Sequence, residues 1–264
     1  SICFCIRYNM KSTSASNSSI WVVCEVFHPE DFLINDLVKQ WEADGKKVEV
    51  LTRVPSYPFG KVYSGFKNRP YNKTSWGSIT IHHLPIIQGY QASTLRKILN
   101  YFLYVLGSLF FFLVKGNNIK DVFVYQTGPL TIATTVAFFK PFYKYRASIW
   151  VQDVWPDTVF AYGFDNGIIK KLLQWFSRYI YRSFDKILIS CNGFSKIISQ
   201  YTDKTFDYVP NWSLLVPSQK CENQLNEGFN FTLAGNIGKM QNLENVLLAF
   251  KEADAGKSVY FNVF

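Results

Sequence analysis

Short apolar runs bounded by turn residues alternate with longer amphipathic stretches along most of the chain, which predicts strands and helices in turn. Ile20 to Val26 predicts a strand, and Asp31 is placed to cap a helix through Trp41 that Gly45 ends. Strands follow at Val48 to Val54 and at Ser78 to Ile86, then a long helix from about Thr94 to Lys115. Asp121 to Tyr125 is the next strand, Leu130 to Phe139 a helix, Ala147 to Val151 a strand and Gly167 to Phe184 a helix. Lys186 to Ser190, Phe194 to Tyr201 and Phe206 to Val209 read as strand, helix and short strand. Repeated strand–helix–strand units predict an α/β fold with a parallel sheet and helices on both faces.

The periodicity lapses from Ser213 to Gly228, a stretch of Gln, Asn, Lys and Glu around Pro217 that reads as a linker. It then restarts as a strand (Phe229 to Ala234), a turn with two glycines, a helix (Leu243 to Ala253) and a strand (Ser258 to Phe264). This is the opening β–α–β of a second α/β domain, and a strand at the last residue predicts a chain truncated there. Residues 1–19 carry a brief apolar patch, Met10 and a Ser/Asn/Thr-rich run, and are read as a disordered or non-native extension with Met10 a candidate start. The apolar patch is too short for a signal peptide.

Composition narrows the class. Of the 264 residues, 48% are hydrophobic and 18% charged, which excludes general disorder. The net charge of +9 suits an anionic partner such as nucleotide phosphates, lipid headgroups or nucleic acid. The five cysteines form no CxxC pair and the three histidines no HExxH, so no metal site is expected. Scattered cysteines fit a reducing compartment.

Two turns hold the candidate chemistry. The strand ending at Val151 runs into Gln152-Asp153-Val154-Trp155-Pro156-Asp157. An acid among tryptophans at a strand's carboxyl end lies where open α/β sheets bind ligands, while Asp153 or Asp157 could equally cap the next helix. In the second domain, Gly235-Asn236-Ile237-Gly238-Lys239 joins a strand to a helix N-terminus, a candidate phosphate cradle or a plain βα turn. No GxGxxG follows the first strand, because Val22 to Asp31 has no glycine; this argues against a nicotinamide-dependent enzyme. The basic residues are dispersed and match no nucleic-acid-binding motif.

Five segments occur in an informative order: Phe27-His28-Pro29-Glu30, Leu51 to Lys61, Trp150 to Asp157, Val209-Pro210-Asn211-Trp212 and Ala234 to Lys239. Together they resemble the landmarks of bacterial family 4 glycosyltransferases of the GT-B fold that build capsular polysaccharide and O-antigen, near the aminodeoxyhexose transferases. The resemblance covers roughly Ile20 to Phe264. It implies a GT-B-like chain: an acceptor-side Rossmann-like domain over residues 20–212, the linker 213–228, and the start of a donor-binding Rossmann-like domain over 229–264. It implies sugar transfer from a nucleotide-sugar to a lipid-linked saccharide, with retention at the anomeric carbon, no metal and no cofactor. The family's paired glutamates would lie beyond Phe264, so this stretch alone is expected not to turn over. A relic or a membrane-peripheral binding protein without catalysis is the alternative.

Residue by residue, the resemblance makes Asp153 the catalytic hydrogen-bond acceptor or general base. Gly235, Asn236, Gly238, Lys239 and Gln241 would meet the donor phosphates. Many relatives have Arg directly after the first glycine and Lys further on, where this chain has Asn236 and Gln241. His28, Ser56, Tyr57 and Lys61 would touch the acceptor. The usual glycine-rich loop after the first strand is replaced by His28-Pro29-Glu30-Asp31, leaving its contact to His28 or Glu30.

Ile98 to Val114 is almost wholly apolar and reads as an interfacial helix, with a core helix and a membrane span as lesser readings. Lys170, Gln174, Arg178 and Arg182 form a basic row on the helix after Gly167, with Ile169, Leu172, Leu173, Phe176 and Ile180 opposite. With a lipid-linked substrate, these helices predict peripheral contact with the anionic inner face of the plasma membrane from the cytoplasm, and no nucleic acid.

Overall fold

The computed structural model describes residues 19–161, 166–213, 227–234, 242–253 and 259–263. The chain divides into two units, 1–214 and 215–264.

In the first unit the apolar runs form a sheet of eight strands: β1 (Ile20–Cys24), β2 (Val48–Arg53), β3 (Asn72–Trp76), β4 (Ile79–Leu84), β5 (Asp121–Gln126), β6 (Arg146–Val151), β7 (Lys186–Ile189) and β8 (Phe206–Tyr208). Their order is β3-β4-β2-β1-β5-β6-β7-β8. Every pairing is parallel except β3 with β4. The fold class read from the sequence is thus present, with one element added. The polar strand Asn-Lys-Thr-Ser-Trp has no apolar run to announce it, and it closes the sheet edge as an antiparallel hairpin with β4. Gly77 forms the turn at φ +64°, where a side chain would be strained and a Cβ would lie 2.5 Å from Glu42 Oε1.

The helices are α1 (Leu33–Ala43), α2 (Thr94–Lys115), α3 (Thr134–Tyr143), α4 (Asp157–Ala161), α5 (Gly167–Ser183) and α6 (Gly193–Ile198). Asp31 does not cap α1. The N-cap is Phe32, without a side-chain bond, because Asn35 instead donates to Glu30 O and accepts from His28 N–H. α1 covers one face of the sheet through Ile34, Leu37, Val38 and Trp41. On the other face, α2, α3 and α5 share a core with β1, β2, β5, β6 and β7, and α3 packs against both α2 and α5.

In the second unit, β9 (Phe229–Leu233) pairs in parallel with β10 (Val259–Val263), with α7 (Leu243–Ala253) between them in sequence. Phe250 of α7 meets Phe231 and Phe261 of the two strands.

Parallel strands lead the chain out at their carboxyl ends, and neighbours whose connections leave in opposite directions open a crevice between them. Here β1 leads to β2 on one side, while its other neighbour β5 leads to β6. The switch point therefore lies between the carboxyl ends of β1 and β5.

Candidate functional site

At that switch point lies a pocket of about 290 Å³. The residues following β1 supply Glu25 and Glu30, the end of β2 and its loop supply Arg53, Ser56 and Tyr57, and the loop after β5 supplies Thr127 and Gly128. Tyr90 and the first turns of α2 (Lys97, Asn100, Tyr101) close it.

Its centre is an ion pair. Arg53 Nη2 stands 2.5 Å from Glu25 Oε1, the side chains 9% and 13% exposed. Beyond that contact, Arg53 Nε is shielded from solvent without a hydrogen-bond partner. Burial pushes the Glu25 carboxyl up, against the pull of Arg53. The Arg53 guanidinium also lies over the rings of Tyr101 and Tyr104, 5.3 and 5.6 Å from their centroids. Burial, with Glu25 adding to it, pushes the Tyr101 hydroxyl up to about 12, so it remains a donor at neutral pH.

A second carboxylate holds the pocket wall in place. Glu30, 4% exposed, accepts the backbone N–H groups of Ser56 (2.7 Å), Tyr57 (2.6 Å) and Phe27 (3.3 Å). Burial raises its pKa despite these donors. Glu30 therefore ties the loop after β1 to the loop after β2. Replacing it with alanine would strand three N–H groups, those of Phe27 and Ser56 on buried residues, at an expected cost of about 2–3 kcal/mol. Hydrogen exchange at Ser56 and Tyr57 checks this; unchanged protection would show that the loop stands without the clamp.

The structure brings Ser56 and Tyr57 into the pocket, with Ser56 Oγ 3.3 Å from Tyr90 Oη. Lys61 is exposed beyond the turn at Gly60 and does not line it. His28 lies elsewhere, its ring stacked 4.1 Å from the Trp76 ring, and burial lowers its pKa. Asp153 follows β6, one strand over from the pocket loop. There Oδ1 accepts from Thr158 Oγ1 at 2.9 Å, and burial raises its pKa. Gln126 links the two places, donating to the carbonyls of Gly128 and Asp153, while its own Oε1 has no partner. Gly235, Asn236, Gly238, Lys239 and Gln241 lie outside the described residues. Among the described residues, no cluster of His, Cys, Asp or Glu could hold a metal ion.

Sequence reading passed over Glu25 and Arg53. Both sit at the ends of apolar strands, β1 and β2, where a charge cannot be buried cheaply without a partner. Two opposite charges at the ends of neighbouring parallel strands were the available signal.

A recessed guanidinium and carboxylate with spare hydrogen-bonding capacity, ringed by tyrosines, suit a ligand with many adjacent hydroxyls. Each hydroxyl can accept from Arg53 and donate to Glu25, while aromatic faces cover the apolar side of a pyranose ring.

No family model matches the chain. The chain is 25% identical over 231 residues to the colanic acid biosynthesis glycosyl transferase WcaI of Escherichia coli K12, covering 81% of this chain and 56% of that protein. It thus spans little more than half of that relative. Among solved structures, the apo structure of OtsA superposes with a TM-score of 0.53 at 12% identity, covering 93% of this chain and 65% of that one. The catalytic domain of starch synthase IV from Arabidopsis thaliana, bound to ADP and acarbose, gives 0.50 at 8% identity, covering 94% and 69%. The two structures share the fold. They show the fold alone, and the WcaI match likens this chain to a glycosyl transferase.

Proposed function

We propose that this chain, as a GT-B glycosyltransferase, is the acceptor-binding part of an enzyme that moves a hexosyl or aminodeoxyhexosyl group from a nucleotide-sugar to a lipid-linked saccharide. The reaction would proceed with retention, without a metal, in the synthesis of a surface polysaccharide such as capsule or O-antigen, on the cytoplasmic side of the plasma membrane. The WcaI likeness supports a polysaccharide product.

The observation that carries the reading is the recessed Glu25–Arg53 pair in the switch-point pocket. In this reading the pair holds neighbouring hydroxyls of the terminal sugar, with Tyr57, Tyr90 and Tyr101 around the ring. Asp153, its carboxyl pushed up by burial, stands at the adjacent strand end as hydrogen-bond acceptor or base for the attacking hydroxyl. The backbone N–H groups from Gly235 to Lys239, with Gln241 beyond, would meet the leaving diphosphate.

Saturation-transfer NMR with lipid-diphosphate-linked oligosaccharides or their water-soluble analogues tests the pocket directly. Binding is expected for the natural chain and is expected to be lost in Glu25→Gln, which keeps the shape but removes the charge. Binding unaffected by that change, or no binding across a saccharide panel, would overturn the assignment. Transfer is then assayed in the whole enzyme with labelled nucleotide-sugars.

A further inference from the structure

Helix α2 buries Asn100, Tyr104, Ser108, Phe111 and Phe112 and turns an apolar stripe outward. Asn100 accepts from the Ile87 N–H at 2.8 Å and donates to the carbonyls of Ile87 and Arg96 at 3.0 Å each. Ser108 Oγ lies 2.6 Å from Thr135 Oγ1 of α3. The outer side presents Leu95, Ile98, Phe102, Leu106, Phe110 and Leu113, each 48–71% exposed. A helix facing water carries polar side chains on its outer side instead. By length and composition α2 could cross a bilayer, but its inner side is committed to the sheet and to α3.

The apolar stripe continues across the neighbouring helices. Phe138 and Phe142 stand out from α3, and Ile168, Leu172 and Trp175 from α5, with Trp175 stacked on Tyr179. Because α3 packs against both α2 and α5, these side chains belong to one side of the sheet. Exposed apolar side chains gathered on one side of a sheet in this way point to an interaction site. The three helices contain eight Lys or Arg and no Asp or Glu.

The face ends at a basic recess of about 440 Å³, between the end of α3 and the starts of β6 and β7. Lys140, Lys144, Arg146 and Arg182 line it against one carboxylate, Asp185. Lys140 pairs with Asp185, and Arg146 with Asp121 at 2.7 and 2.9 Å. Lys144 and Arg182 have no carboxylate partner among the described residues. Pro141, which also lines the recess, adjoins the exposed Phe142.

We propose that the α2/α3/α5 face seats on an anionic phospholipid leaflet, with its phenylalanines and Trp175 in the acyl boundary and a headgroup phosphate in the recess beside Lys144 and Arg182. The charge pattern selects this occupant. A second copy of the same face would set cations against cations, whereas an anionic leaflet supplies both apolar depth and negative charge. The proposal deepens the peripheral attachment in the reading above and rests on that reading for the acceptor. Lys97, Asn100 and Tyr101 of α2 line the saccharide pocket, so the helix lying on the leaflet brings the pocket to the lipid boundary.

Flotation of the purified chain with phosphatidylcholine vesicles, plain or doped with phosphatidylglycerol, tests it. Binding to the doped vesicles is expected, weakening as salt rises. Phe110→Glu with Leu113→Glu should abolish it. Lys144→Gln with Arg182→Gln should weaken it by about 25-fold, at roughly fivefold per cation removed. All four positions are exposed, so far-UV circular dichroism should not change. No flotation with either vesicle, or flotation indifferent to both double variants, would sink the proposal. So would a concentration-dependent dimer that Phe110→Glu with Leu113→Glu dissolves, which would give the face to a second copy. If flotation fails while saccharide still binds, the lipid inference alone falls. If vesicles bind and saccharides do not, the transfer reading falls and the docking face stands.

Discussion

Replacing Arg53 by methionine is expected to lose saccharide binding altogether and to cost about 3 kcal/mol of folding stability. Breaking a buried ion pair costs about 3–5 kcal/mol because it leaves the other charge buried and unpaired. The lower end applies because Glu25 keeps 13% exposure at the pocket. The deficit should depend on pH, with a definite sign. Burial already holds the Glu25 carboxyl above its ordinary value, and Arg53 is the group that opposes the rise. Without Arg53 the folded-state pKa climbs further above the unfolded one. The folded protein then binds more protons than the unfolded chain, so stability is retained below the unfolded pKa and falls as pH rises toward neutrality. Urea denaturation of Arg53→Met at pH 5 and pH 8 should show the larger loss at pH 8. Adding Glu25→Gln should recover most of the stability at pH 8 and none of the saccharide binding. If the double variant binds saccharide as the natural chain does, the pair is structural and the pocket assignment fails. If Arg53→Met is as stable as the natural chain at both pH values, the pair is effectively solvated.

The contrast between that pair and the residues singled out from the sequence shows where reading a chain succeeds. Strand and helix placement was legible because burial imposes period. The helix predicted from about Thr94 to Lys115 is α2 (Thr94–Lys115), and the second-domain helix predicted from Leu243 to Ala253 is α7. β3 was not legible, since its pairing depends on a Gly77 turn and on β4 rather than on apolar residues of its own. The outward apolar face of α2 was half legible. Composition marked the helix as too apolar for a plain surface, but only the fold shows that Asn100 and Ser108 point inward. The site was legible by neighbourhood and not by residue. Ser56, Tyr57 and Lys61 read as acceptor contacts from the sequence, and the structure sets Ser56 and Tyr57 in the pocket with Lys61 outside it. Glu30 was singled out as a contact, and the structure employs it on backbone N–H groups. Glu25 and Arg53 meet because β1 and β2 are neighbours in the sheet, which the sequence signals only as two opposite charges at successive strand ends.

Trp150→Ala is expected to cost about 4 kcal/mol, within the usual range of about 3–5 for deleting a large buried aromatic. Trp150 is fully buried in β6, three residues before Asp153. Its ring stacks on Trp212 at 5.4 Å and lies 5.4 Å from Tyr125, and its Nε1–H donates to Val209 O at 3.1 Å. Trp212 in turn donates to Asp36 Oδ2 on α1 at 3.0 Å. Two of the five segments behind the family resemblance, Trp150 to Asp157 and Val209 to Trp212, therefore meet in one aromatic stack. It fastens the ends of β6 and β8 to α1. Truncation empties the centre of the stack and leaves the Val209 carbonyl without its donor. Trp150→Phe keeps most of the ring area and loses the hydrogen bond, so about 1–2 kcal/mol is expected. Urea unfolding followed by far-UV circular dichroism separates the two variants. Equal losses would mean that the hydrogen bond to Val209, and not the stack, does the fastening. A loss below about 1 kcal/mol for the alanine variant would mean that Trp212 and Tyr125 close the gap, and that the ordered pair of tryptophan segments owes its place in the sequence to something other than stability. Saccharide binding measured on Trp150→Phe then tells whether the stack also sets the end of β6. Asp153 leaves the sheet there, so in the whole enzyme a shifted strand end should slow transfer while the pocket around Glu25 and Arg53 still binds.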